Sequence, residues 1–179
     1  AGVMLDDLIA GGEVVWTRSA RVVADPPDKA LGRRRKQWLS RTILPVIRSA
    51  TRRLDVVSPY FIPGRRGTAI LADLVRRGAK VSVLTNSLAA TDVAAVHGAY
   101  ANYRVDLLRK GVRLFEFRPF AGKPAISMFG SKGASLHTKA FAVDDTRGFV
   151  GSFNFDPRSV SLNAEMGVLF EDSRLVAQL

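Results

Sequence analysis

Cysteine is absent from the 179 residues, which excludes disulfides and thiolate metal ligands but leaves the redox compartment open. Histidine is scarce. His97 and His137 are the only two, and without thiolates a transition-metal site is not expected. No run of about 18 consecutive apolar residues occurs, so nothing reads as a bilayer-crossing helix. The chain has neither an initiator methionine nor a signal-peptide pattern at its start, "AGVMLDDLIAGGEVV". It closes on "FEDSRLVAQL", which reads as the first turns of a helix cut short. The expectation is a piece of a longer protein.

Acidic residues are also in short supply, 16 against 27 Lys+Arg, for a net charge of +11. Arginine makes up 20 of the 27, and its planar fork suits phosphate better than a lysine point charge. Between Thr17 and Arg53 eleven basic residues face two acids. Such an excess reads either as a solvated basic face or as a surface for an anionic partner: phospholipid head groups, nucleic acid or another phosphate polymer. With 47% hydrophobic residues the chain supports one ordinary domain.

Residues 13–24 read as a strand or strand pair, ended by "DPPDK". From Arg33 to Arg53 apolar residues recur at helical spacing, with Pro45 predicting a kink or a split. "LDVVS" is a short buried strand. A helix follows over Thr68–Arg77, ended by Gly78, and then the strand "KVSVLT". The next helix spans Asp92–Lys110, between a Thr91 cap and Gly111, and precedes the strand "VRLFEF". Residues 118–135 read as a Gly/Pro/Ser/Lys-rich loop, followed by strands at 136–143, 147–151 and 163–170. The order strand–helix–strand–helix–strand from 54 to 117 predicts an α/β fold with a mixed, largely parallel central sheet flanked by helices on both faces. Antiparallel pairing is expected among the last three strands.

The chemistry concentrates in "SLHTKAFAVDD". Strand alternation sets His137 and Lys139 side by side, with Asp144 on the opposite face. A histidine serves as nucleophile or general acid, and a neighbouring ammonium holds a phosphate oxygen. Further on, "GSFN" supplies Gly151, where backbone can approach a ligand, and Ser152 and Asn154, which donate to anionic oxygens. Asn163 and Glu165 share one face of the final strand, and Glu165 suits holding a histidine Nδ1–H.

The whole pattern, H-x-K-x4-D-x6-G-S-x-N, resembles the motif of the phospholipase D superfamily. At residue frequencies of a few per cent, its six specified positions coincide by chance in on the order of one chain per million. "SPYFIPG", "LTNSLAATDVAAVHGAYANYR", "GVRLFEFRP" and "NFDPRSVSLNAE" are similar to segments of one branch, the bacterial cardiolipin synthases. The resemblance covers roughly residues 54–170. It implies a phosphohistidine mechanism in which two H-x-K motifs meet at a pseudo-twofold axis, with no cofactor and no metal. On this chain it makes His137 one of the two histidines, with Lys139 and Asn154 binding phosphate. Ser152 is a weaker candidate for the same site, Glu165 orients a histidine, and Asp144 and Gly151 are structural.

Only one such motif is present, so the chain is expected to be a single half-domain over 1–179, the C-terminal half of a two-motif protein, with His137 the acid. Alternatively two copies pair across a true twofold. The implied partners are an anionic phospholipid, the membrane surface of a bacterial cell held peripherally, and either an N-terminal half or a homodimer mate; nucleic acid is less favoured. The competing functions are a metal-independent nuclease and a catalytically incomplete phosphate- or membrane-binding module. Four further residues were open on sequence grounds. His97 reads as helix packing or as a rim to the pocket, Tyr60 and Phe61 as core anchors or pocket wall, and Arg158 as a phosphate contact or a turn partner of Asp156.

Overall fold

The computed structural model describes residues 15–119 and 135–179. Its frame is one seven-stranded sheet with the strand order β1-β7-β6-β5-β2-β3-β4. The strands are β1 (Ala20–Ala24), β2 (Arg53–Val57), β3 (Lys80–Asn86), β4 (Arg113–Phe117), β5 (Lys139–Val143), β6 (Arg147–Gly151) and β7 (Met166–Glu171). Five helices intervene: α1 (Leu39–Arg48), α2 (Gly64–Arg76), α3 (Ala94–Arg109) and the short α4 (Pro157–Ser161) and α5 (Ser173–Val176).

The α/β class and the mixed sheet are as expected, but the balance of directions differs. Parallel pairing is confined to β2–β3 and β3–β4, where helices make the crossovers. The other four pairings are antiparallel, so "largely parallel" holds only for the half spanning residues 53–117. The reason lies in the connections. Only three residues separate β5 from β6, and a link that short permits only a hairpin. Asp144 and Asp145 take positive φ, 50° and 59°, at that turn, which Asp tolerates better than most residues.

Alternation sorts each strand into a core face and an outer face. Leu54 and Val56, Val81 and Val83, Phe141 and Val143 meet Ile43, Ile47, Leu74 and Leu107 of the helices in one cluster. Each such buried side chain contributes about 1.5–3 kcal/mol. Opposite this cluster, among the described residues, α5 and the chain end cover part of the sheet, over Asp55, Ala142 and Gly148. Beside them runs a row matched strand to strand, Val22–Val168–Val150–Ala140–Val57–Leu84–Phe115. Val22, Phe115, Val150 and Val168 of this row are exposed.

Helix boundaries moved for local reasons. Helix α1 starts at Leu39 and runs on through Pro45; Arg35–Gln37 forms a separate 3-10 turn. The amide of Leu39 donates to Asp25 Oδ1, an anchor that fixes the start of the helix. Helix α2 begins four residues earlier than expected, at Gly64 (φ 63°). Val93, not Thr91, occupies the α3 cap; the Thr91 hydroxyl accepts from Val93 N–H instead. Most of the segment expected as a loop at 118–135, and the start of the first strand at 13, lie outside the described residues.

Candidate active site

The C-terminal ends of β2 and β3 and the N-terminal end of β5 meet at one edge of the sheet. Register places Val57 opposite Ala140 and Lys139 opposite Gly151, so the two halves of the motif are adjacent across the β5–β6 hairpin. Strand β5 begins at Lys139 rather than 136, so His137 lies on the extended segment entering the strand, not within it. Its side chain is exposed. Two bonds hold that segment to β3: Asn86 Nδ2 donates to Leu136 O (3.2 Å), and Leu136 N donates to Asn86 Oδ1 (3.0 Å). Asn86, itself buried, thus sets where His137 emerges.

Lys139 is half-buried and its Nζ donates to His137 O at 2.6 Å. Burial pushes its pKa below the ordinary lysine value, while the carboxylates of Glu165 and Asp92 act in the opposite sense. Asp92 also accepts from Tyr60 Oη at 2.7 Å. Burial, that bond and the Asp92 charge push the Tyr60 phenol up to about 12. Tyr60 is thus tied to Asp92 at the start of the segment before α3, whereas Phe61 is core.

Glu165 is buried and holds three donors: Ser152 Oγ (2.5 Å), Ser159 Oγ (2.8 Å) and Asn163 Nδ2 (3.3 Å). Among the described residues no histidine donates to it. Asn163 and Glu165 lead into β7 rather than belonging to it. Asn154 is tied back by its own N–H to Ser159 Oγ (3.2 Å), and its Oδ1 is buried without a partner among the described residues. Ser152, Asn154 and Glu165 thus converge through two hydroxyls on one carboxylate.

Below this lies a buried ion pair whose role sequence reading missed. Lys29 and Asp25 meet at 2.7 Å with both side chains fully buried. Lys29 Nζ also donates to Ser159 O (2.7 Å), and Asp25 Oδ2 accepts Glu165 N–H (3.0 Å). One of the eleven residues read as a basic surface is thus a core brace for the site. The available signal was an aspartate before Pro26-Pro27 with a lysine four residues on, a pattern that also reads as a plain turn.

Asp144 lies in the turn just past β5, where its positive φ rather than strand alternation sets its direction. Its carboxylate accepts from Thr51 N and Oγ1 (2.9 Å each), Arg52 N (2.8 Å) and Arg53 N (2.9 Å). Burial alone raises an acid, but these donors outweigh it and hold Asp144 well below the usual carboxylate range. Gly151 is required by packing. A Cβ there would lie 2.3 Å from Met166 O and 2.6 Å from Gly167 Cα, with the Phe149 ring 2.8 Å away.

His97 packs edge-on against Tyr100 (5.6 Å), which packs against Phe61 (6.0 Å). That is helix packing. Arg158 is exposed and makes no side-chain bond to Asp156, which instead caps α4 by accepting from Ser159 N–H (2.8 Å). No group of three or more metal-ligating side chains occurs among the described residues, and none of their helices is long and apolar enough to cross a membrane.

Known proteins are similar to this chain in sequence or in fold. The Escherichia coli protein cardiolipin synthase C is 44% identical over 171 residues, 93% of this chain. The chain spans 36% of that relative's length. Among solved structures, a phospholipase D family member, Nuc from Salmonella typhimurium, superposes with a TM-score of 0.59 at 21% identity, covering 89% of this chain and 88% of that one. Phosphatidylserine synthase from Haemophilus influenzae gives 0.63 at 19% identity, over 99% and 42%. These two share the fold. The profile described as "Cardiolipin synthase, PLD-like domain" matches residues 43–179. On that match, and with the H-x-K and G-S-x-N segments paired across one hairpin, the chain belongs to the cardiolipin synthase-like family of phospholipase D domains.

Proposed function

We propose that this chain is one lobe of a phosphatidyltransferase that cleaves the phosphodiester of an anionic phospholipid and passes the phosphatidyl group to an alcohol or to water. The observation that carries the reading is the cluster at the sheet edge: exposed His137, the ammonium of Lys139, and Ser152 and Asn154 across the hairpin. Lys139 and Asn154 bind the non-bridging oxygens, with Ser152 as a further donor. The nucleophile is a histidine of a second H-x-K lobe. Its ring nitrogen attacks phosphorus, the P–O bond to the leaving alcohol breaks, and His137 gives its proton to the departing oxygen. The incoming alcohol returns a proton to His137 as it displaces the phosphohistidine. Glu165 positions Ser152 and the Asn154 segment from below, and orients a histidine only if the second lobe supplies one.

Two observations support the partners. The apolar row from Val22 to Phe115, exposed at Val22, Val168, Val150 and Phe115, is a face suited to docking a second lobe, either another half or a second copy. Arg33, Arg34, Arg35 and Lys36 are consecutive and exposed, as an anionic membrane surface attracts. The test is turnover of phosphatidylglycerol vesicles in EDTA by the lobe joined to an H-x-K partner, with labelled DNA as a competing substrate. Lipid product with intact DNA is expected. EDTA-resistant DNA cleavage without lipid product would favour the nuclease reading.

A further inference from the structure

A concavity lies apart from the site, between α1, α2 and the chain at 153–160, with a volume of about 310 Å³. None of His137, Lys139, Ser152 or Asn154 lines it. Its walls are apolar: Ile43, Leu44 and Ile47 from α1, Ile70 from α2, and Phe155 and Val160 opposite. Helix periodicity sets a cation at the mouth on each side. Arg41 precedes Leu44 by about one turn, and Arg66 precedes Ile70 likewise. Both arginines are exposed, and neither side chain has a hydrogen bond or ion pair among the described residues. The one acid in the lining, Asp156, is committed to the α4 cap. Trp38 stands at the same mouth, just past the exposed Arg33–Lys36 run.

We propose that this groove takes one acyl chain of an anionic phospholipid, with the lipid phosphate held by Arg41 and Arg66. The occupant follows from the lining. Apolar walls select hydrocarbon, and two unpaired guanidiniums at the opening select an anionic head. A neutral ligand would leave those charges unused, and a soluble anion would leave the apolar surface uncovered. The groove seats the lobe on a bilayer by a specific lipid, in addition to the nonspecific attraction of the basic run. It shares the 153–157 segment with the active site, because Phe153 and Phe155 flank Asn154, so a bound chain braces that segment from behind. The inference rests on the reading above only for the class of lipid.

Trp38 supplies the probe. In a Trp16→Phe background it is the sole tryptophan. Phosphatidylglycerol vesicles carrying bromine in mid-chain should quench Trp38 fluorescence at least twofold relative to unbrominated vesicles, with vesicle flotation measured in parallel. Arg41→Glu with Arg66→Glu should abolish the quenching per bound protein. The same charge change at Arg33→Glu with Lys36→Glu should weaken flotation but leave quenching per bound protein intact. Flotation without quenching would overturn the groove while sparing the membrane reading. Equal quenching by brominated phosphatidylcholine would overturn the role of the arginines. Absence of flotation would sink both readings.

Discussion

Replacing Lys29 by methionine tests whether a buried charge holds the site together. Lys29 Nζ lies 2.7 Å from Asp25 Oδ2 and 2.7 Å from Ser159 O, with no solvent on either side chain. Methionine keeps an unbranched stem of similar volume, so little of the loss is cavity. The loss is electrostatic. Asp25 keeps only the N–H groups of Leu39 and Glu165, and the Ser159 carbonyl loses the Lys29 donor. Removing one partner of a buried pair costs about 3–5 kcal/mol. Against a domain stability of about 5–15 kcal/mol, that is a large fraction. With a urea slope of about 2 kcal/mol/M, the unfolding midpoint, followed by far-UV circular dichroism, should fall by roughly 2 M. The double variant with Asp25→Asn should be more stable than the sum of the two singles by about 1–3 kcal/mol, because neither charge is then left alone. A Lys29→Met cost below about 1 kcal/mol, or strict additivity, would refute the brace.

Two smaller perturbations address the rest of the frame. Asp144→Asn, which tolerates the positive φ, should cost about 1–2 kcal/mol near pH 7 through weaker acceptance from Thr51, Arg52 and Arg53. The folded pKa of Asp144 is depressed, so its contribution is full above about pH 4 and fades as pH falls through the folded value. The gap in urea midpoint between wild type and variant should therefore narrow at pH 3; a constant gap would remove the charge from the explanation. Asn86→Ala should free the segment entering β5. Amide exchange at Leu136 is expected to speed up about tenfold, the worth of one hydrogen bond, and unchanged exchange would mean that something else positions His137.

The motif half of the site was legible because its residues are close in sequence and flank two paired strands. His137 and Lys139 lead into β5, Ser152 and Asn154 follow β6, and Asp144 sits at the turn between the strands, where it accepts from Thr51. The brace was not legible, because Lys29 reaches Ser159 across 130 residues and no local pattern announces such a contact. Asn86 was hidden for the same reason, fifty residues from the backbone it clamps. Gly151 was expected to be structural, but its packing partners were not visible in sequence. Its freedom from a Cβ serves the neighbouring strand and the Phe149 ring, and only the register of β6 on β7 reveals that. The sheet directions were partly misjudged because helical crossovers are conspicuous in sequence, while the antiparallel half is built from one tight hairpin and two distant returns, β5 onto β2 and β1 onto β7.

The most direct test of the central claim is lipid turnover by this lobe joined to a second H-x-K lobe, compared between wild type and His137→Ala. His137 is exposed, so the substitution leaves the fold intact, which circular dichroism can verify. A general acid or nucleophile at this position predicts a fall in phosphatidyl transfer of at least about 10²–10⁴-fold. Turnover within about threefold of wild type would contradict the account and remove His137 from the chemistry.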